Sequence, residues 1–109
     1  MGLFGADRVR SSAVIYGDNP ITACAAAYKL TWAQAVVFYT LAVSPGRTVT
    51  VATIVRHLHH GRKVQHARSG TYKHIRDLGR RLPEGFAVEN LHGVGYRLTV
   101  PEGWEPPWE

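Results

Sequence analysis

Residues 66–82, HARSGTYKHIRDLGRRL, decide how the rest of the chain is read. Thr71, Ile75, Leu78 and Leu82 recur at i, i+4, i+7 and i+11, the spacing of one face of an α-helix. At about 100° per residue, Ser69, Lys73, Arg76, Asp77 and Arg80 fall on the opposite side. The spacing therefore predicts a helix over about 67–82. One face suits a core and the other is mostly basic. Pro83 and Gly85 stop it.

Downstream the period changes from helical to alternating. Phe86 and Val88 point one way, Ala87 and Glu89 the other, and Leu91-His92-Gly93-Val94-Gly95 supplies a turn. Tyr96-Arg97-Leu98-Thr99-Val100 returns as a second strand, which makes a β-hairpin over 86–100. Upstream, Thr31 and Gln34 have capping-box spacing at the start of a helix that buries Val37, Phe38 and Leu41. Ser44-Pro45-Gly46 ends that helix. Thr50 caps another, with Ile54, Val55 and Leu58 inward, and His60-Gly61-Arg62-Lys63 marks a loop.

The N-terminal third is less periodic. Residues 1–12 read as a flexible arm and 13–16 (AVIY) as a short strand, closed by the turn Gly17-Asp18-Asn19-Pro20. Residues 21–24 and 27–30 are candidate short strands, although the alanines among them discriminate poorly between strand and helix. The expected fold class is α+β: short N-terminal strands, three helices and a C-terminal hairpin. One domain spans 13–100, followed by a tail at 101–109.

Composition narrows the function classes. No apolar run approaches the roughly 18 residues that span a bilayer. The N-terminus lacks the basic-then-apolar order of a signal peptide. Cys24 is the only cysteine, so no internal disulfide forms, a buried structural role is expected, and a reducing cytoplasm fits best. The formal net charge of +5 is unevenly placed. Residues 47–82 hold nine Lys/Arg against one acid, Asp77, a local net of +8, and five of the six histidines. Charge concentrated in this way is an electrostatic footprint for nucleic acid; the plainer alternative is a solvated helical face.

Several fragments, taken in order, resemble a known family. Leu30-Thr31 with Gln34, Pro45-Gly46-Arg47, Val49-Thr50, His74-Ile75 with Leu78 and Leu82, and Gly93-Val94-Gly95-Tyr96-Arg97-Leu98 have the order and spacing of the winged-helix effector domain of OmpR/PhoB-type response regulators. The resemblance covers about 30–100 and implies a helix-turn-helix whose last helix enters the DNA major groove, with the hairpin as a wing beside the minor groove. It puts Lys73 and Asp77 at base-reading positions, His74 and Arg76 within reach of phosphates, and Asn90 and His92 on the wing. Arg62, Lys63, Arg68, Ser69 and Arg80 complete the expected DNA-contact set. Residues 59–66 correspond to a loop that touches RNA polymerase in the family.

The chain also departs from the family pattern. Asp77 stands where basic side chains are common, and a carboxylate can accept from cytosine N4. Gly79 replaces a frequent arginine, His59 a tryptophan and His92 an arginine. No acidic cluster with a phosphoacceptor aspartate points to a receiver domain. The expectation is a sequence-specific, double-stranded-DNA-binding transcriptional regulator, forming a homodimer on DNA. The alternative is a protein-interaction module of the same fold that binds RNA polymerase or another regulator.

Other constellations are weaker. His57, His59, His60, His66 and His74 invite a metal, but no Cys/His pair has zinc-finger spacing, so no metal or cofactor is expected. Neither a catalytic triad, a phosphate loop with its lysine, nor a pair of carboxylates in a pocket is legible, so no enzyme activity is expected. Gly93-Val94-Gly95 is not a nucleotide fingerprint, because no helix follows it. The tail PEGWEPPWE has three readings. Trp104 packs back on the domain while the end frays, the tryptophans anchor a partner, or the acids fold over the basic face.

Overall fold

The first helix begins where the sequence turns sharply. In a computed structural model that describes residues 19–59 and 67–109, with side chains in the second segment from Ser69 onward, α1 spans Pro20–Tyr28. Asn19 Oδ1 accepts from the Ile21 N–H at 2.8 Å, and Pro20 occupies a first-turn position that needs no N–H. This corrects the expectation of strands at 21–24 and 27–30. Alanine is the best helix former, and Ile21, Cys24, Ala25 and Tyr28 share one face that packs on the core. Lys29 ends the helix at φ 56°. The strand expected at 13–16 and the arm at 1–12 lie outside the described residues.

Helix α2 (Trp32–Ala42) is the hub, in contact with α1, α3, α4 and the hairpin. Its capping box forms as the spacing predicts. The Thr31 hydroxyl accepts from Gln34 N at 3.2 Å, and the Gln34 side chain accepts from Thr31 N at 3.1 Å. Ala35, Val37, Phe38 and Leu41 are fully buried, so this helix is apolar nearly all round because it is covered nearly all round. The hydroxyl of Thr40 donates to Val36 O at 2.8 Å and lies 3.2 Å from His57 Nδ1, which ties α2 to α3.

Helix α3 (Val51–His59) starts on Thr50, whose hydroxyl accepts from Thr53 N, and it buries Ile54 fully and Val55 and Leu58 in part. Helix α4 (Ala67–Arg81) follows the predicted period, with Thr71, Ile75 and Leu78 buried. Strands β1 (Ala87–Leu91) and β2 (Gly95–Thr99) pair antiparallel, with Glu89 opposite Arg97. The Arg97 guanidinium holds Glu89 Oε1 at 2.6 and 2.8 Å across the strands.

Among the described residues the fold is thus α+β, with four helices and one hairpin. The connection between α2 and α3 runs along the free edge of β2. Val49 N donates to Tyr96 O at 2.8 Å, Tyr96 N to Val49 O at 2.9 Å, and Gly46 N to Leu98 O at 2.9 Å. This edge fixes the hairpin relative to the helices.

The tail is folded, with Trp104 and Trp108 both packed on the domain. Trp104 donates from Nε1 to the Tyr28 hydroxyl at 2.8 Å and sits edge-on to Phe38 and Phe86 at 6.2 and 5.9 Å between centroids. Trp108 packs on Tyr39 at 5.0 Å. The tryptophans therefore seat on α1, α2 and the hairpin base, not over the polar face of α4. No single helix among the described residues is long and apolar enough to cross a membrane.

Candidate nucleic-acid interface

Burying Thr71, Ile75 and Leu78 turns the other side of α4 outward. Ser69, Lys73, Arg76 and Arg80, at i, i+4, i+7 and i+11, are all exposed and form a second stripe opposite the first. At 1.5 Å per residue it runs about 16 Å, longer than the roughly 12 Å width of a B-DNA major groove. Asp77 is half-buried at the edge of this stripe, its carboxylate 3.9 Å from Arg76 Nε, so the acid lies beside a cation. His74 and Arg81 occupy the flank away from the hairpin. Arg81 is partly committed there, donating to Lys29 O at 3.4 Å.

The flank of α4 nearest the hairpin opens into a cleft of about 650 Å³. Tyr72 and Arg76 form one wall and Thr50, Val51 and Ala52 at the start of α3 another; Asn90, His92 and the hairpin turn close it. Arg76, Asn90 and His92, separated in sequence, are thereby brought together. Lys73 and Arg80 stand outside this cleft on the open stripe. Arg62 and Lys63 lie outside the described residues, and Arg68 falls within α4 by its backbone.

Tyr72 is the residue that periodicity passes over. It lies about 100° around the helix from Thr71, on neither stripe, and is 44% exposed. The available signal was compositional: it is the only Phe, Tyr or Trp in 66–82. Burial, then the nearby Tyr72, push the Tyr96 phenol above its ordinary range. Cys24, fully buried in α1, has its thiol pushed up to about 11 by burial, which makes it a packing residue with little thiolate at neutral pH. Among the described residues no three or more His, Cys, Asp or Glu side chains gather to hold a metal.

Gly79 is unlike the glycines that turns require. A Cβ added there meets nothing within 4 Å, and the position is helical and exposed. Gly79→Ala is expected to stabilise the domain by about 1 kcal/mol, the helix-propensity difference. Urea denaturation followed by helical circular dichroism measures it, as a higher midpoint with an unchanged slope. A lower midpoint would mean that the helix needs the glycine.

A scan against protein-family models matches none of them, and searches of curated proteins and solved structures return no similar chain. Function is therefore read from geometry and chemistry.

Proposed function

We propose that this chain is a sequence-specific, double-stranded-DNA-binding transcriptional regulator that uses a winged helix-turn-helix. The observation that carries the reading is the stripe of Lys73, Arg76 and Arg80 on a helix whose reverse side is locked into the core, with the hairpin turn beside it. In this reading α3 and α4 are the helix-turn-helix pair, α4 lies in the major groove, and the hairpin is the wing. Arg76 and Arg80 neutralise phosphates, with Arg62, Lys63 and Arg68 adding to the field. Lys73 and Asp77 face base edges, the first donating and the second accepting. Ser69 and His74 flank the helix contacts, while Asn90 and His92 meet the backbone from the wing.

Homodimerisation on repeated half-sites and contact of residues 59–66 with RNA polymerase belong to the same proposal. The rival, a module of the same fold that binds RNA polymerase or another regulator through residues 59–66 or the tail, loses support at the tail, because Trp104 and Trp108 are engaged within the domain's own aromatic cluster.

The test is fluorescence anisotropy with a 24-base-pair duplex of mixed sequence between 50 and 200 mM KCl. The wild-type chain should bind with an affinity that falls steeply with salt. The Arg76→Ala/Arg80→Ala double variant should flatten the log–log slope by about 1.8, the loss of two phosphate contacts. Salt-independent binding, or wild-type affinity in the double variant, would sink the proposal.

A further inference from the structure

The cleft beside α4 contains a residue that neither the core nor the basic stripe explains. Tyr72 is 44% exposed, although Thr71 and Ile75 on the same helix are buried. None of the hydrogen bonds within the described residues involves its hydroxyl. The ring forms the wall of the cleft one turn before Arg76, and Thr50, Asn90 and His92 supply polar groups from the other sides. No Asp or Glu lines it, and Asp77, five residues on, is turned about 140° away around the helix.

A space of about 650 Å³ lies within the range that holds a drug-sized molecule, so a nucleotide unit fits by size. Its chemistry is mixed: the rings of Tyr72 and Tyr96, apolar side chains from Val51, Leu91 and Val94, a guanidinium, an amide and hydroxyls, with no negative charge. That combination suits neither a base edge alone nor a purely apolar ligand. It matches a sugar–phosphate unit, whose sugar has an apolar face and whose phosphate is an acceptor. Tyrosine and asparagine side chains and helix N-termini are among the recurring partners of phosphate oxygens.

We propose that Tyr72 seats one DNA sugar–phosphate strand in the cleft between α4 and the hairpin turn, its ring against a deoxyribose and its hydroxyl donating to a phosphate oxygen. The inference rests on the DNA-binding reading and adds a positioning contact to it. A strand leaving the major groove toward the adjacent minor groove passes between a groove-bound helix and a hairpin beside it, which is where this cleft lies. Tyr72 is on the flank of α4 that meets that strand, while Lys73 faces the groove floor.

The contact has a signature distinct from that of a cation. Tyrosine is neutral, so removing its hydroxyl weakens binding without releasing fewer counterions. Full-length wild type, Tyr72→Phe, Tyr72→Ala and Arg76→Ala are titrated into two 24-base-pair duplexes of unrelated sequence between 50 and 200 mM KCl. Tyr72→Phe should bind about fivefold more weakly, the worth of one hydrogen bond. Tyr72→Ala should bind more weakly still, both variants equally on the two duplexes and with the wild-type salt slope. Arg76→Ala should lower that slope by about 0.9.

Wild-type affinity in Tyr72→Phe and Tyr72→Ala, beside a normal Arg76→Ala effect, overturns the seat and leaves the DNA reading standing. A loss confined to one duplex also overturns it, because Tyr72 is then a base reader. Failure of the wild-type chain to bind either duplex overturns both. Should Tyr72→Ala unfold by circular dichroism, Tyr72→Phe, which keeps the ring, decides alone.

Discussion

Gly95→Ala is expected to destabilise the domain by about 3 kcal/mol, the range for forcing an extra group into a closed space and losing ladder hydrogen bonds. A Cβ at this position would run into the Val49 carbonyl oxygen, with Val49 C at 2.7 Å and Thr50 Cα at 2.9 Å. These are backbone atoms, which cannot swing aside as a side chain does. Relief requires the hairpin to part from the α2–α3 connection, breaking the paired hydrogen bonds between Val49 and Tyr96. The glycine is needed for close approach and not for an unusual backbone angle, since it is absent from the positive-φ residues. Thermal and urea unfolding measure the loss. Beside the stabilising Gly79→Ala, one substitution type then acts with opposite signs in one small domain. A Gly95→Ala protein as stable as wild type would show that the hairpin is not anchored through Val49.

Trp104→Ala is expected to cost about 3 kcal/mol, the low end of the range for removing a large aromatic from a core, because the ring is only partly buried. The side chain closes the space between Tyr28, Phe38 and Phe86, and its N–H satisfies the Tyr28 hydroxyl. Removing it exposes fully buried Phe38 to a cavity or to water and leaves the Tyr28 hydroxyl without that donor. Trp104→Phe keeps most of the packing and forfeits the hydrogen bond, so it should lose about 1 kcal/mol. Urea unfolding followed at 222 nm separates the two variants. If Trp104→Ala unfolds at the wild-type midpoint, the tail is an ornament on a core that is complete without it.

These two positions mark the limit of what pattern reading reaches. The α4 period, the Thr31–Gln34 capping box and the alternation of the hairpin were all legible, because each depends on residues within a few positions of one another. Helix α1 was not. Its core face is made of an isoleucine, a cysteine, an alanine and a tyrosine, and small side chains leave a weak periodic trace. The basic stripe was legible residue by residue, whereas the cleft was not, since Tyr72 and Arg76 meet Asn90 and His92 only through the packing of α4 and the hairpin.

By itself, then, the sequence determined the local elements from α2 onward, the two faces of α4 and the concentration of positive charge on one segment. Such features follow from helix and strand periods and from capping chemistry, which act over one or two turns. Tertiary structure alone decided that the Trp tail completes the core, that Gly95 must lack a side chain and that Tyr72 faces a cleft. Each of these depends on which distant surfaces exclude water together. That is a property of the whole packed chain, and no local window contains it.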